Sequence, residues 1–243
     1  MKQTIFTITE NAALTATVYK MVLVGDTDGI TTGQFVNILL DGLYLRRPIS
    51  VCDCQGNALT LVYKVVGKGT AQMAAMTAGQ TLDVLTGLGN GYDLSKAGDH
   101  PLLLGGGVGV PPLYMLARQL REQGKAVSVI LGFNTADEVF YEQEFAALGC
   151  DVTVTTADGS HGVKGFVTDA LPADYSYFYT CGPEPMLKAV YKSTTTSGQF
   201  SFEERMGCGF GACMGCSCKV ITGYKRICKD GPVLEKEEIL WDA

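Results

Sequence analysis

The chain has 243 residues, enough for two modest domains and a small appendage. A net charge of −6 without any Lys/Arg run argues against nucleic acid or an anionic membrane surface as partner. No apolar run approaches the roughly 20 residues that span a bilayer, and Met1-Lys2-Gln3-Thr4-Ile5-Phe6 has no apolar signal core, so a cytoplasmic protein is expected.

Residues 1–97 read as short strands rich in β-branched and aromatic residues: Thr4–Thr9, Ala16–Val24, Phe35–Leu40, Ile49–Asp53, Leu59–Val66 and Thr81–Leu85. Turn signals separate them at Gly25-Asp26, Asp41-Gly42, Gln55-Gly56-Asn57, Gly67-Lys68-Gly69 and Gly87 through Gly91. Such spacing predicts a small antiparallel β-barrel. Within it, Arg46-Arg47-Pro48-Ile49-Ser50 lies where a loop becomes a strand. It is either a charged loop or an Arg and a Ser placed to address one pyrophosphate.

The pattern changes near Gly98. Pro101–Leu104 is a compact apolar strand, and Pro112–Gln123 is amphipathic. Strands at Ala126–Leu131, Asp151–Thr155 and Tyr175–Thr180 alternate with helical stretches at Glu138–Leu148, Val167–Leu171 and Pro185–Thr194. The alternation predicts a doubly wound parallel sheet over 98–198. Between its first strand and helix runs Gly105-Gly106-Gly107-Val108-Gly109-Val110-Pro111-Pro112. Gly105, Gly107 and Gly109 suit a phosphate at a helix N-terminus, although Pro112 stands where a third spaced glycine belongs, and a plain tight turn reads equally well. Cys181-Gly182-Pro183 repeats the strand–turn–helix context and reads alone as an ordinary helix start. Neither His100 nor His161 lies in a recognisable site. Ser193–Gly198 reads as a linker.

Five of the nine cysteines fall within residues 208–228. Reduced cytosolic thiols make disulfides a poor explanation and metal or redox chemistry a better one. Cys208, Cys213 and Cys216 give C-x4-C-x2-C, the spacing of plant-type 2Fe–2S proteins, with Cys228 available as fourth ligand. Zinc more often shows paired C-x2-C knuckles, and a 4Fe–4S site C-x2-C-x2-C. Cys218 is surplus and could replace Cys216 through a C-x-C pair. The expected organisation is thus a barrel over 1–97, an α/β unit over 98–198 and a cluster-binding domain over 199–243.

These motifs, in this order, resemble the ferredoxin–NADP reductase superfamily along the whole chain: R-x-x-S at Arg47–Ser50, Gly69-Thr70, the glycine loop, and C-G-P at Cys181–Pro183. With the cysteine tail and Cys228-Lys229-Asp230-Gly231-Pro232-Val233, the chain is similar to the electron-transfer subunits of class B dihydroorotate dehydrogenases. The resemblance implies an N-terminal FAD-binding barrel in which Arg47, Pro48, Ile49 and Ser50 hold the FAD pyrophosphate and isoalloxazine. Val62, Tyr63 and Lys64 would line the flavin, and Gly69 and Thr70 would cap its phosphates. It further implies NAD(H) on the glycine loop and at Cys181, Gly182 and Pro183, and a 2Fe–2S cluster on Cys208, Cys213, Cys216 and Cys228. NADH would give a hydride to FAD, which would split the pair into single electrons for the cluster. The implied partner is an FMN-carrying catalytic subunit, two copies of each chain, acting in pyrimidine biosynthesis. Lys64 stands where the family commonly has Arg, and Cys52 and Cys54 lie outside the motifs. No acidic residue closes the second strand at Gly132-Phe133-Asn134-Thr135, so the preference for NAD over NADP comes from the resemblance alone. Two other readings fit the same modules: a small subunit of an NAD(P)H–ferredoxin oxidoreductase or sulfide dehydrogenase, and, from another class, a zinc-binding interaction module.

Overall fold

A computed structural model describes residues 1–241. The first part is a closed barrel of six antiparallel strands: β1 (Lys2–Ala13), β2 (Val18–Val24), β3 (Phe35–Leu39), β4 (Arg47–Gln55), β5 (Ala58–Lys64) and, after a short helix α1 (Lys68–Ala74), β6 (Thr81–Leu88). They close in the order β1-β2-β5-β4-β3-β6. Alternation is clearest in β6, where Leu82, Val84, Thr86 and Leu88 are buried and Asp83, Leu85 and Gly87 between them are half-buried, as a period of two requires. Phe6, Met21, Ile38, Leu61 and Val84 fill the interior. Gly67-Lys68-Gly69, which reads as a turn in the sequence, instead opens α1: the Thr70 hydroxyl accepts from the N–H groups of Val66 (2.9 Å) and Gly67 (3.2 Å).

The second part is a sheet flanked by helices. Its elements are β7 (Pro101–Gly106), α2 (Tyr114–Glu122), β8 (Ser128–Phe133), α3 (Glu142–Ala147), β9 (Asp151–Thr156), β10 (Val163–Lys164), β11 (Tyr177–Cys181), α4 (Glu184–Ser193) and β12 (Gly198–Ser201). A hairpin of β13 (Ser217–Val220) and β14 (Gly223–Arg226) follows, then β15 (Val233–Glu235), which returns to the main sheet. The sheet order is β10-β9-β8-β7-β11-β12-β15, parallel except for β15. The central strand β7, Pro-Leu-Leu-Leu-Gly-Gly, is buried throughout, as a parallel strand covered on both faces should be.

Three further expectations change. Ser193–Gly198 is not a free linker: Ser193 ends α4, and Gly198 starts β12, which is buried along its length beside β11. The helix expected over Glu138–Leu148 is broken, because Tyr141 adopts φ 67° and only Glu142–Ala147 is α-helical. Val167–Leu171 is a single 3-10 turn, Val167–Ala170. The segment after residue 198 also supplies two strands, β12 and β15, to the nucleotide-type sheet.

Barrel and sheet are joined at β4. Arg118 of α2 donates to Asp53 Oδ1 (2.8 Å) and to the Cys54 carbonyl (3.2 Å). Both partners are largely removed from water, with side chains 17% and 9% exposed. Beside this pair, Cys52 is buried with its sulfur 3.3 Å from the Tyr141 hydroxyl, so Cys52 and Cys54 belong to the joint between the two parts.

Arg118→Met should leave Asp53 an uncompensated, nearly buried carboxylate. The expected cost is about 2–3 kcal/mol, between the values for exposed and buried pairs. Denaturant unfolding checks it, and adding Asp53→Leu should recover part of the loss.

Candidate cofactor-binding site

The barrel does not pair evenly around its circumference. From Val51 onward β4 is registered against β5, Val51 opposite Leu61 and Gln55 opposite Ala58. Before Val51 the two strands part. Arg47–Ser50 pair only with β3, and Val62–Lys64 only with β2. The facing edges therefore carry main-chain groups without ladder partners, which a planar polar ligand can satisfy. The R-x-x-S strand and the Val62-Tyr63-Lys64 strand stand on the two lips of this opening. Tyr63 turns its ring into the barrel, 2% exposed, stacked near Tyr19 and donating to Asn11 Oδ1 (3.0 Å). Only its main chain can face the opening.

Gly69 and Thr70, at the start of α1, lie against the same strand. A Cβ at Gly69 would collide with the Arg47 guanidinium stem, so glycine there lets the arginine lie across the helix start. The Arg47 guanidinium also donates to the Leu45 carbonyl.

At the sheet, β7 lies between β8 and β11, so connections leave on opposite sides and a crevice opens at the carboxyl ends of β7 and β11. The glycine loop and the Cys181-Gly182-Pro183 turn end these two adjacent strands, with Gly105 in register with Cys181. They touch at Gly109, where a Cβ would collide with the Cys181 carbonyl. Gly107 has φ 52° and open space beside it. Burial pushes the Cys181 thiol up to about 12, so it stands at this crevice as a neutral group.

The cysteines assemble as two pairs. The Cys208 sulfur accepts from the N–H groups of Ala212 (3.2 Å) and Cys213 (3.4 Å), and the Cys213 sulfur from the N–H of Cys208 (3.5 Å). The Cys216 sulfur accepts from the N–H of Cys228 (3.4 Å). Desolvation opposes the Cys208 thiolate, but the N–H groups of Phe210 and Cys213, the Cys213 thiol and the N–H of Ala212 prevail and hold its thiol at about 6. Burial, together with the neighbouring Cys216, pushes the Cys228 thiol up to about 12. Among the described residues no three His, Cys, Asp or Glu side chains are drawn together closely enough to hold a metal ion. Two pairs of sulfurs fit a two-iron core with two ligands per iron. Cys218, in β13, instead lines the large cleft described next, and burial raises its thiol.

A cavity of about 1050 Å³ joins these parts. Arg46, Arg47 and Pro48 enter it from the barrel, Gly182 and Pro183 from the β11–α4 turn, and Phe202 through Met206 from the approach to the cysteines. Trp241 and Leu240 close its far side. Ring packing of Trp241 on Tyr191, Phe200 and Phe202, at centroid distances of 5.3–5.5 Å, fixes that wall. Glu203, Glu204, Arg205, Leu240 and Trp241 carry no motif, and only their place beside the cysteines could have marked them.

Comparison with known proteins agrees with this layout. Residues 203–240 match the model of the iron–sulfur cluster binding domain of dihydroorotate dehydrogenase B, and residues 103–192 that of an oxidoreductase NAD-binding domain. The chain is 43% identical to the dihydroorotate dehydrogenase B (NAD(+)) electron transfer subunit of Geobacillus sp. (strain WCH70), covering 99% of both. It is 46% identical to that of Fusobacterium nucleatum, covering 93% of this chain and 94% of the other. Among solved structures, an NADH-dependent reduced ferredoxin–NADP oxidoreductase studied for flavin-based electron bifurcation superposes with a TM-score of 0.89. It is 30% identical and covers 97% of this chain and 90% of the other.

The pairing of sulfurs generates a test. Cys228→Ser should bleach the iron–sulfur absorption while leaving flavin bound, because β4, β5 and α1 are untouched. Cys218→Ser should leave the spectrum intact. The reverse pattern would replace Cys228 by Cys218 in the ligand set.

Proposed function

The chain belongs to the family of dihydroorotate dehydrogenase B electron transfer subunits, and from that premise we propose that it carries electrons from NADH, through FAD and a 2Fe–2S cluster, to a catalytic partner subunit. When bound, FAD takes two electrons from NADH as hydride, and the cluster takes and gives one at a time. The observation that carries the reading is the single cleft bordered by the flavin-type strand, the turn after β11 and the approach to the cysteines.

In this reading the chain's residues bind, orient and shield. Arg47 supplies fixed positive charge for the FAD pyrophosphate, and Ser50 a hydroxyl beside it. Pro48 and Ile49, with the main chain of Val62, Tyr63 and Lys64, hold the ring system in the parted seam. Gly69 and Thr70 bring the amides at the start of α1 to the phosphates. Gly105, Gly107 and Gly109 admit the dinucleotide to the crevice, while Gly182 and Pro183 aim its reactive end into the cleft. Cys181, held neutral by burial, adds no charge there. Cys208, Cys213, Cys216 and Cys228 hold the cluster, and the N–H groups on the Cys208 sulfur stabilise its negative charge. No general base is required for hydride transfer. The chain divides in function as 1–97 for FAD, 98–198 for NAD and 199–243 for the cluster, although β12 and β15 of the last part complete the NAD-type sheet.

The finer assignments extend the same reading. The partner is an FMN-containing dihydroorotate dehydrogenase subunit, and two copies of each chain assemble. No helix among the described residues is long and apolar enough to cross a membrane. Free cysteines suit the reducing cytoplasm as the place of work. A role beside a ferredoxin oxidoreductase partner has support in the TM-score of 0.89, but identity is greater to the dihydroorotate dehydrogenase subunits.

Metal and sulfide analysis of protein purified without air tests the assignment. About two iron and two acid-labile sulfide per flavin are expected. Four iron per flavin, or zinc in its place, would reject the 2Fe–2S assignment.

A further inference from the structure

We propose that Asn37 is a positioning residue that clamps the cysteine loop onto the flavin-side strands and so sets how the cluster site sits against the flavin site. The proposal rests on the reading of those two sites given above.

Asn37 lies in β3 within Phe35-Val36-Asn37-Ile38, a run that is otherwise apolar and entirely buried. It is 1% exposed. An amide side chain at such a position is costly unless it is hydrogen-bonded, and valine or isoleucine would suit a barrel strand better. The side chain does not serve the barrel. Its Nδ2 donates to the main-chain carbonyl of Cys208 (3.3 Å), the first of the cluster cysteines. Its main chain is registered opposite Pro48 of the R-x-x-S strand. One residue therefore links the flavin strand, by one step across the sheet, to the cysteine loop, by one hydrogen bond.

Two neighbours are fitted to this contact. Gly209 has φ 78°, and a Cβ there would collide with Asn37 Nδ2, so the loop comes this close only with glycine. Arg46 donates to the Asn37 carbonyl (3.3 Å) and to Asp83 Oδ1 (2.9 Å), which holds β3 and β6 in place beneath the loop. Asn37 Oδ1 is buried without a partner, so half of the amide's capacity is forgone to make the Cys208 contact. Fixing the Cys208 carbonyl also fixes the turn whose N–H groups point at the Cys208 sulfur, and hydrogen bonds to cluster sulfurs tune potential. Asn37 itself exchanges neither proton nor electron. NADH supplies both electrons as hydride to flavin, and the cluster accepts one of them.

The test uses the full chain loaded with FAD and cluster, as wild type, Asn37→Leu and Asn37→Ser. NADH is mixed anaerobically, and flavin bleaching and cluster reduction are followed separately. The cluster's electron paramagnetic resonance spectrum and iron release to a chelator are recorded alongside. The expected result is a split: flavin content and bleaching rate stay at wild type, while cluster reduction slows and the resonance shifts. Iron release should rise about tenfold, the weight of one hydrogen bond on loop opening. Gly209→Ala should labilise the cluster strongly in the wild-type background. It should do so less in Asn37→Ser, where the colliding amide is gone. Wild-type cluster reduction, resonance and iron release in both variants would overturn the proposal. So would strictly additive effects with Gly209→Ala, or loss of FAD or of folding in both Asn37 variants, which would make Asn37 a barrel residue. If NADH reduces flavin but never the cluster in wild type, the functional reading fails instead, and iron release and the Gly209→Ala cycle still decide the role of Asn37.

Discussion

The antiparallel pairing of β12 with β15 is the constraint on which the rest depends. Ser201 lies opposite Val233, and the Phe202 N–H donates to the Pro232 carbonyl (2.9 Å). Together they tie off residues 202–232, the segment that contains Cys208, Cys213, Cys216 and Cys228. Without this closure the cysteine loop would lose its tie to the main sheet and keep only side contacts such as that of Asn37 with Cys208. The linker between barrel and sheet grips the same point. Asn90 makes reciprocal hydrogen bonds with the main chain of Val233, 2.7 Å to its carbonyl and 3.0 Å from its N–H. At Gly89 a Cβ would come within 2.6 Å of Pro232, so the linker and the returning strand are in contact.

Given that closure, each site is a place where a regular ladder is interrupted. The barrel opens where β4 and β5 part, leaving main-chain groups on two facing edges. The sheet opens where connections from β7 and β11 leave on opposite sides. The cysteine loop spends its N–H groups on sulfur instead of on a ladder. One cleft is bordered by Arg47 and Pro48 of the barrel seam, Gly182 and Pro183 of the turn after β11 and residues 202–206 leading to the cysteine loop, and electron transfer needs from the protein placement, a controlled electrostatic environment and protection from water.

Much of this was legible in the sequence, for reasons that differ by element. Alternating strands such as β6 announce a barrel because one face is buried and the other wet. The glycine loop and the C-x4-C-x2-C run are legible because close approach to a phosphate or a cluster demands particular residues. What was hidden depended on tertiary context. Ser-Thr-Thr-Thr-Ser-Gly has the composition of a linker, yet Gly198 enters a buried strand, and a Cβ there would press on the Phe178 ring. Gly67-Lys68-Gly69 looks like a turn because the helix it starts is capped by Thr70 from within. Tyr141 breaks a helical pattern by taking a left-handed conformation while its ring packs on Tyr114 and its hydroxyl reaches Cys52. Which sulfurs pair, and that Asn37 reaches Cys208 from another domain, follow from the fold and carry no local signature.

The central claim is that two electrons enter as a pair and leave singly through one chain. An anaerobic titration of the FAD- and cluster-loaded protein with NADH, read in the flavin and iron–sulfur bands together, tests it most directly. Flavin holds two electrons and the cluster one, so full reduction should consume about 1.5 NADH per chain with both bands bleached. An endpoint at about one NADH per chain, with flavin reduced and the cluster still oxidised, would contradict the account.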